Sequence, residues 1–235
     1  MELQKILEHG ERYFLSNLSI DLVIIGYKNG KLKCLLLKLG NKWVLPGGYI
    51  KIKESTDDAV TRILEERTRL KNPHFKFLDV FGNKDRKFTE EFKAFFDKKK
   101  LPWREDYWIN NRFVTMAYYS LVAIDDTDPK PGDFDEAAHW FSFDNLPDIG
   151  LDHGAILDTA RNRLKEDIQR EQLTYNLMPN EFTMPQLHSL HQTILMKSLD
   201  RSRFQKKMLA SGMFKRLPKV KKETPGSNPY QYSLK

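Results

Sequence analysis

Gly47 and Gly48 open a segment in which Glu54 stands six residues after Gly48, Arg62 eight residues after Glu54, and Glu66 four after Arg62. Residues three and four apart on a helix share a face, so positions 63, 66 and 67 are expected to point to one place. Three carboxylates on such a face would supply the hard oxygens that hold Mg²⁺ against a diphosphate and activate water for hydrolysis. This chain offers Ile63, Glu66 and Arg67 there. One carboxylate beside a cation is a poor Mg²⁺ site, because that ion demands charge and octahedral oxygens. Glu65 is no substitute, lying ~100° around the helix from Glu66. The expectation is a pocket with no resident cofactor and no assigned catalytic residue. Glu66 is the candidate for any metal contact, and Mg²⁺ would enter only with residual hydrolase activity.

The candidates for binding a small molecule in that pocket are Leu45, Gly47, Gly48, Arg62, Glu66, Arg67 and Arg86. Glycine lets a ligand approach the backbone. Glu54 and Arg62 have the charges to brace the loop as an ion pair, and Arg67 or Arg86 to meet a phosphate or a sugar hydroxyl. Each equally suits a structural salt bridge. His153 is read as capping or packing at a helix, outside catalysis.

The positioning elements follow from pattern. Ser19 to Gly26 and Lys31 to Lys38 flank Asn29-Gly30, a two-residue hairpin signal. Trp43 to Leu45 leads into the Gly47-Gly48 loop. Ser55 suits an N-cap, with Asp57 and Asp58 in the first turn of a helix that runs to about Leu70, before Pro73. Strands are predicted over Phe75 to Phe81, Phe113 to Ile124 and Trp140 to Phe143, and a long amphipathic helix over Asp152 to Gln172. Between two of these strands, Lys87 to Asn110 carries Phe88, Phe92, Phe95 and Phe96 at helical spacing, then Lys98 to Lys100. It reads as a helical insertion, a surface helix capped by solvated lysines, with a ligand lid or dimer contact as the alternative.

Charge is unevenly distributed. From Thr174 onward the chain carries 11 cations against 3 anions, while the remainder, with 28 and 29, is close to neutral. Thr183 and Asp200 can each cap a short helix, giving a helix-turn-helix pattern. The second helix would present Arg201, Ser202, Arg203, Lys206 and Lys207 from its first turns, where such helices contact base edges. Phe214 to Pro218 and Tyr230 to Leu234 outline a wing whose tip bears Lys219, Lys221 and Lys222. Arg can engage guanine bidentately and Lys can neutralise phosphate. A helical dimerisation appendage is the alternative. Thr174 to Pro179 is read as a linker, giving domains at 1–173 and 174–235 with the insertion at about 87–110.

The 235 residues are 40% hydrophobic and 12% aromatic, enough for two cores of unequal size. No apolar run reaches the ~18 residues needed to span a bilayer, and the N-terminus is too acidic for a signal peptide, so a cytoplasmic protein with no membrane partner is expected. Cys34 lies in an apolar run and reads as a core residue.

The chain resembles the Nudix-related transcriptional regulators, in which a Nudix-like effector domain precedes a winged helix. The resemblance rests on Trp43-Val44-Leu45-Pro46-Gly47-Gly48, on Glu54, Arg62, Leu64, Glu66 and Leu70, on Val114 to Tyr119, and on Leu151-Asp152-His153. Asn176-Leu177-Met178-Pro179 and Leu199 to Phe204 extend it over nearly the whole chain. Departures are Ile63 and Arg67 in place of Glu, Arg69 in place of Gly, and the insertion. The resemblance implies an α+β protein, a Nudix-like α/β/α sandwich with a mixed sheet followed by a winged helix-turn-helix domain. It implies a homodimeric regulator binding double-stranded DNA and sensing a pentose or an ADP-ribose-like metabolite. A Mg²⁺-dependent pyrophosphohydrolase of a nucleoside diphosphate derivative, with Glu54 and Glu66 sharing the metal, and an RNA-associated protein are the competing expectations.

Overall fold

The computed structural model describes residues 3–71, 74–170, 177–221 and 228–235. Pro73, Gln172, the 173/174 boundary, the linker residues 174–176, Lys222 and the wing tip at Pro225-Gly226 lie outside the described residues.

The first region contains α1 (Leu3–His9), β1 (Phe14–Lys28), β2 (Lys31–Leu39), β3 (Lys42–Val44), β4 (Gly47–Lys51), α2 (Thr56–Thr68), β5 (Lys76–Phe81), α3 (Thr89–Lys99), β6 (Val114–Leu121), β7 (Ala137–Ser142) and α4 (His153–Arg170). Beyond it come β8 (Phe182–Thr183), α5 (Met184–Leu195), α6 (Arg201–Ala210), β9 (Phe214–Lys219) and β10 (Tyr230–Leu234).

β1 and β2 form the expected hairpin. Asn29 and Gly30 turn it at φ 54° and 74°, the paired positive values an Asn-Gly turn supplies. The sheet runs β3-β2-β1-β6-β5, with β4 added to β1 and β7 to β2; β1 and β6 are parallel and the other pairs antiparallel. β1 is buried on both faces from Ser19 to Gly26, so it reads as a continuous apolar run. Ile20, Leu22 and Ile24 meet Val60, Ile63 and Leu64 of α2, while Val23 and Ile25 meet Ile156, Leu157, Ala160 and Leu164 of α4. That alternation makes the helix-sheet-helix sandwich. Ser55 caps α2 in a reciprocal box with Asp58, and the helix ends at Arg69, held left-handed at φ 63°.

The segment 87–110 corrects the expectation of a surface helix. Phe92, Phe95 and Phe96 of α3 are buried with Ile6, Leu7, Trp108 and Phe113 in a second apolar core. An aromatic stripe of that size is not left in water when an apolar partner is at hand. The lysine end is solvated, and Lys98 donates to Gly40 O at 2.7 Å.

β8, β10 and β9 form a small sheet beside α5 and α6. Thr183 and Gln186 make the capping box of α5, and Asp200 caps α6 through the Arg203 N–H. Leu177 and Met178, expected in a linker, are instead buried in one cluster with Leu164 and Ile168 of α4 and Leu187 and Leu190 of α5. Tyr27 Oη lies 3.2 Å from Ser189 Oγ, so α5 rests on the first hairpin as well as on α4. Among the described residues no helix is long and apolar enough to cross a membrane.

Candidate functional site

A cavity of about 460 Å³ opens between β1, β4, α2, α3 and the loop 130–135. Leu45, Gly47, Gly48, Arg62, Glu66, Arg67 and Arg86 all line it. Close packing explains the glycines. A Cβ on Gly47 would sit 2.6 Å from Ile20 O and 2.7 Å from Asp21 Oδ1, and one on Gly48 would sit 3.0 Å from Ile63 Cδ1. Arg62 donates to Glu54 Oε1 at 2.6 Å and to Tyr49 O at 2.9 Å, while Glu54 also accepts from the Lys51 N–H at 2.7 Å. The loop is thereby braced, and the hydrogen bond from Arg62 holds the Glu54 carboxyl below its usual range. Arg67 crosses the cavity mouth to Asp135 Oδ2 at 2.5 Å and to Gly47 O at 3.3 Å. Asp135 in turn accepts from the Gly132 N–H at 3.0 Å, so Arg67 ties the loop 130–135 to β4.

The deep end holds a charged network. Arg86 is 2% exposed and donates to Asp21 Oδ2 at 2.5 Å and to both Asp152 oxygens at 3.1 and 3.2 Å. His153 Nδ1 accepts from the Leu45 N–H at 2.8 Å, which leaves its Nε2 proton toward Asp21, 3.5 Å away. Burial pushes the Asp21 carboxyl up, but His153, Arg86 and the Thr115 hydroxyl outweigh it and bring it down to about 2. Burial raises the Tyr49 phenol, and Asp21 adds to that, so Tyr49 remains a neutral donor in the cavity wall. Ser19 Oγ, two residues from Asp21 on the same face, is buried without a hydrogen-bond partner among the described residues.

The helix face expected to gather positions 63, 66 and 67 brings Glu66 and Arg67 to the cavity lining, but with no carboxylate cluster among the described residues. Ile63 is buried against Gly48 in the sheet core, where an alkyl group gains and a carboxylate would lose. Glu66 is exposed and pairs with Arg62 at 3.4 Å, and Arg67 belongs to Asp135. Among the described residues no three His, Cys, Asp or Glu side chains converge on a point that would hold a metal ion. The donor set does not fit Mg²⁺.

Asp21 and Asp135 have no place among the sequence expectations, while Arg69 and Asp152 stand there only as motif positions and His153 as a capping or packing residue. Asp21 carried a visible signal, an acid inside the apolar run Ser19 to Gly26, where charge survives only if paired. Asp135 had no local signal, since its partner lies 68 residues away.

In the basic segment, Arg201, Ser202, Arg203, Lys206 and Lys207 are all exposed on α6, as are Lys219 and Lys221 of the wing. α6 buries Phe204 and Met208 against the domain, so its polar face is turned outward. Arg216, outside the DNA-contact candidates, has its guanidinium carbon 3.3 Å from the Tyr230 ring centroid across the β9–β10 pair.

A family model described as NUDIX domain matches residues 18–160, and one described as NrtR DNA-binding winged helix domain matches residues 174–234. The chain is 24% identical over 205 residues to the ADPR responsive transcriptional repressor NtrR of Acinetobacter baylyi, an alignment covering 83% of this chain and 73% of that relative. Shewanella oneidensis NrtR complexed with a 27mer DNA superposes with a TM-score of 0.71 at 22% identity, over 94% of each chain. A MutT/nudix family protein from Enterococcus faecalis gives 0.68 at 22% identity, over 100% of this chain and 94% of the other. At these identities the structural likeness establishes the fold: a Nudix domain with a mixed sheet, followed by a winged helix.

Proposed function

The chain belongs to the NUDIX family through residues 18–160 and carries a winged helix of the NrtR type behind it, and from that premise we propose that it is a ligand-responsive DNA-binding transcriptional regulator. Its Nudix domain binds a sugar or ADP-ribose-like effector without hydrolysing it. It acts in the cytoplasm as a homodimer whose two α6 helices read paired half-sites in double-stranded DNA.

The observation that carries this reading is the physical continuity between pocket and reading head. Arg86 and His153 line the cavity, Arg86 also holds Asp152, which immediately precedes α4, and α4 shares one apolar cluster with α5. A ligand that re-partners Arg86 or displaces Asp21 changes the seat of α4 and, through it, the placement of α6. Such a device works as a population shift between two arrangements. A coupling of ~1–3 kcal/mol changes operator affinity five- to 150-fold. The exposed cations of α6 and the wing support duplex binding, and the misfit of the donor set to Mg²⁺ supports sensing over turnover.

The test is binding of purified protein to DNA from its own upstream region, titrated with ADP-ribose and then with free pentoses. A specific complex whose affinity moves with one of these ligands is the expected result. Failure to form any sequence-selective complex, together with Mg²⁺-dependent release of a nucleoside monophosphate, would replace this reading with the hydrolase.

A further inference from the structure

Five cations line the cavity: Arg62, Arg67, Arg69, Arg86 and Lys130. Four already have carboxylates. Arg62 lies 2.6 Å from Glu54, Arg67 2.5 Å from Asp135, Arg86 2.5 Å from Asp21, and Lys130 2.9 Å from Asp128. A ligand anion would have to compete with a partner in place at each of them. Arg69 differs: it is exposed at the rim, and its guanidinium makes no ion pair or hydrogen bond among the described residues.

Its backbone is also unusual. Arg69 sits at φ 63° as the C-cap of α2, the left-handed conformation that favours glycine, and its N–H closes the helix on Glu65 O at 2.8 Å. Glycine would hold this turn without the steric cost a Cβ carries. A long cation stands there instead, at the end of the helix whose face forms one wall of the cavity. Phe88, Phe92, Phe113 and Phe134 supply apolar lining to the same cavity. The cavity is in the ~300–1,000 Å³ range that encloses whole drug-sized ligands and is far larger than a single pentose ring requires.

We propose that Arg69 is a specificity-determining residue of the pocket, taking the anionic group of the effector, so that the ligand class is an anionic sugar derivative and not a free pentose. The guanidinium fork suits phosphoryl and carboxylate oxygens alike, because both accept two parallel N–H donors. The proposal rests on the reading of the cavity as the effector site. Asp133 on the same rim carries the opposite charge, so binding is expected to strengthen where the ligand's anion meets Arg69 and its hydroxyls face Asp133.

The experiment is titration calorimetry of the full chain and of Arg69→Gly with ADP-ribose, ribose 5-phosphate, D-ribonate and D-ribose. Arg69→Gly removes the charge while supplying the residue the backbone favours, so the variant is expected to melt no lower than the parent, which separates lost binding from lost folding. Loss of a charged hydrogen-bond partner should weaken the phosphorylated ligands about ten- to 100-fold and leave D-ribose unchanged. ADP-ribose and ribose 5-phosphate identify a phosphoryl source, and D-ribonate a carboxylate. Arg69→Lys should recover part of the loss. Equal affinity of Arg69→Gly and parent for every anionic ligand, or D-ribose binding as tightly as its anionic derivatives, would overturn the assignment while leaving a pentose-responsive regulator standing. If none of the four binds and none alters DNA affinity, the reading of the cavity as an effector site falls with it.

Discussion

Asp21 is a buried carboxylate whose surroundings decide its charge: desolvation pushes its pKa up, yet His153 and Arg86 hold it at about 2 against an ordinary 3.8. The unfolded chain therefore binds a proton that the folded chain refuses between those values. The stability this contributes is complete above pH 4 and is lost as pH falls through 2. At ~1.36 kcal/mol per unit of pKa, the amount is about 2 kcal/mol. Asp21→Asn should flatten this part of the acid limb in urea unfolding measured between pH 5 and pH 2.5. At pH 7 it should cost roughly 3 kcal/mol, since Arg86 would keep only Asp152 as a carboxylate partner. An acid limb unchanged in the variant would move the pH dependence to other groups. The network is tight because each member answers another's burial: Arg86 is as enclosed as Asp21, and His153 is fixed at its second nitrogen by the Leu45 N–H.

At the scale of elements, α3 is the piece whose role the structure changes most. It is the wall between the second core and the cavity, with Phe95 and Phe96 facing inward and Phe92 also lining the pocket. Phe95→Ala should lower stability by about 3–5 kcal/mol, read as a shift of the denaturant midpoint, whereas a solvated helix would lose less than 0.5 kcal/mol. The Asn29-Gly30 hairpin and the Ser55, Thr183 and Asp200 caps are legible because each is specified by residues within four positions of one another. Six of the seven pocket positions lie between Leu45 and Arg67, on one loop and the helix that follows it, and Arg86 alone comes from farther along the chain. What escaped is set by distant contacts. α1 is short, and Ile6 and Leu7 gain their partners only when Trp108 folds against Gly10. The two-residue β8 exists only as a partner of β10. The burial of α3 needs α1 and Phe113 together, so its aromatic stripe reads from sequence as a surface helix, with a lid or dimer contact as the alternative.

For the whole molecule, the question is whether ligand and DNA are read by one coupled body, and two variants separate reading from transmitting. Asp152 touches Arg86 on the pocket side and immediately precedes α4, but its side chain is 24% exposed and belongs to neither the reading helix nor the cavity lining. Asp152→Asn keeps the shape and removes the charge. It should leave the separate affinities for ligand and for DNA within about threefold of the parent while shrinking the ligand-induced change in DNA affinity toward unity. Replacing Arg201, Arg203 and Lys206 by Ala should do the reverse. DNA affinity should fall and the slope of log K against log salt should decrease by roughly one per lost phosphate contact, with the factor by which ligand changes that affinity preserved. Additivity supports the comparison, because the two sets of residues lie on different elements and, among the described residues, share no ion-pair partner. If Asp152→Asn responds to ligand as the parent does, the coupling runs through another surface of α4, and the apolar contacts of Leu164 and Ile168 with the winged helix become the place to look for it.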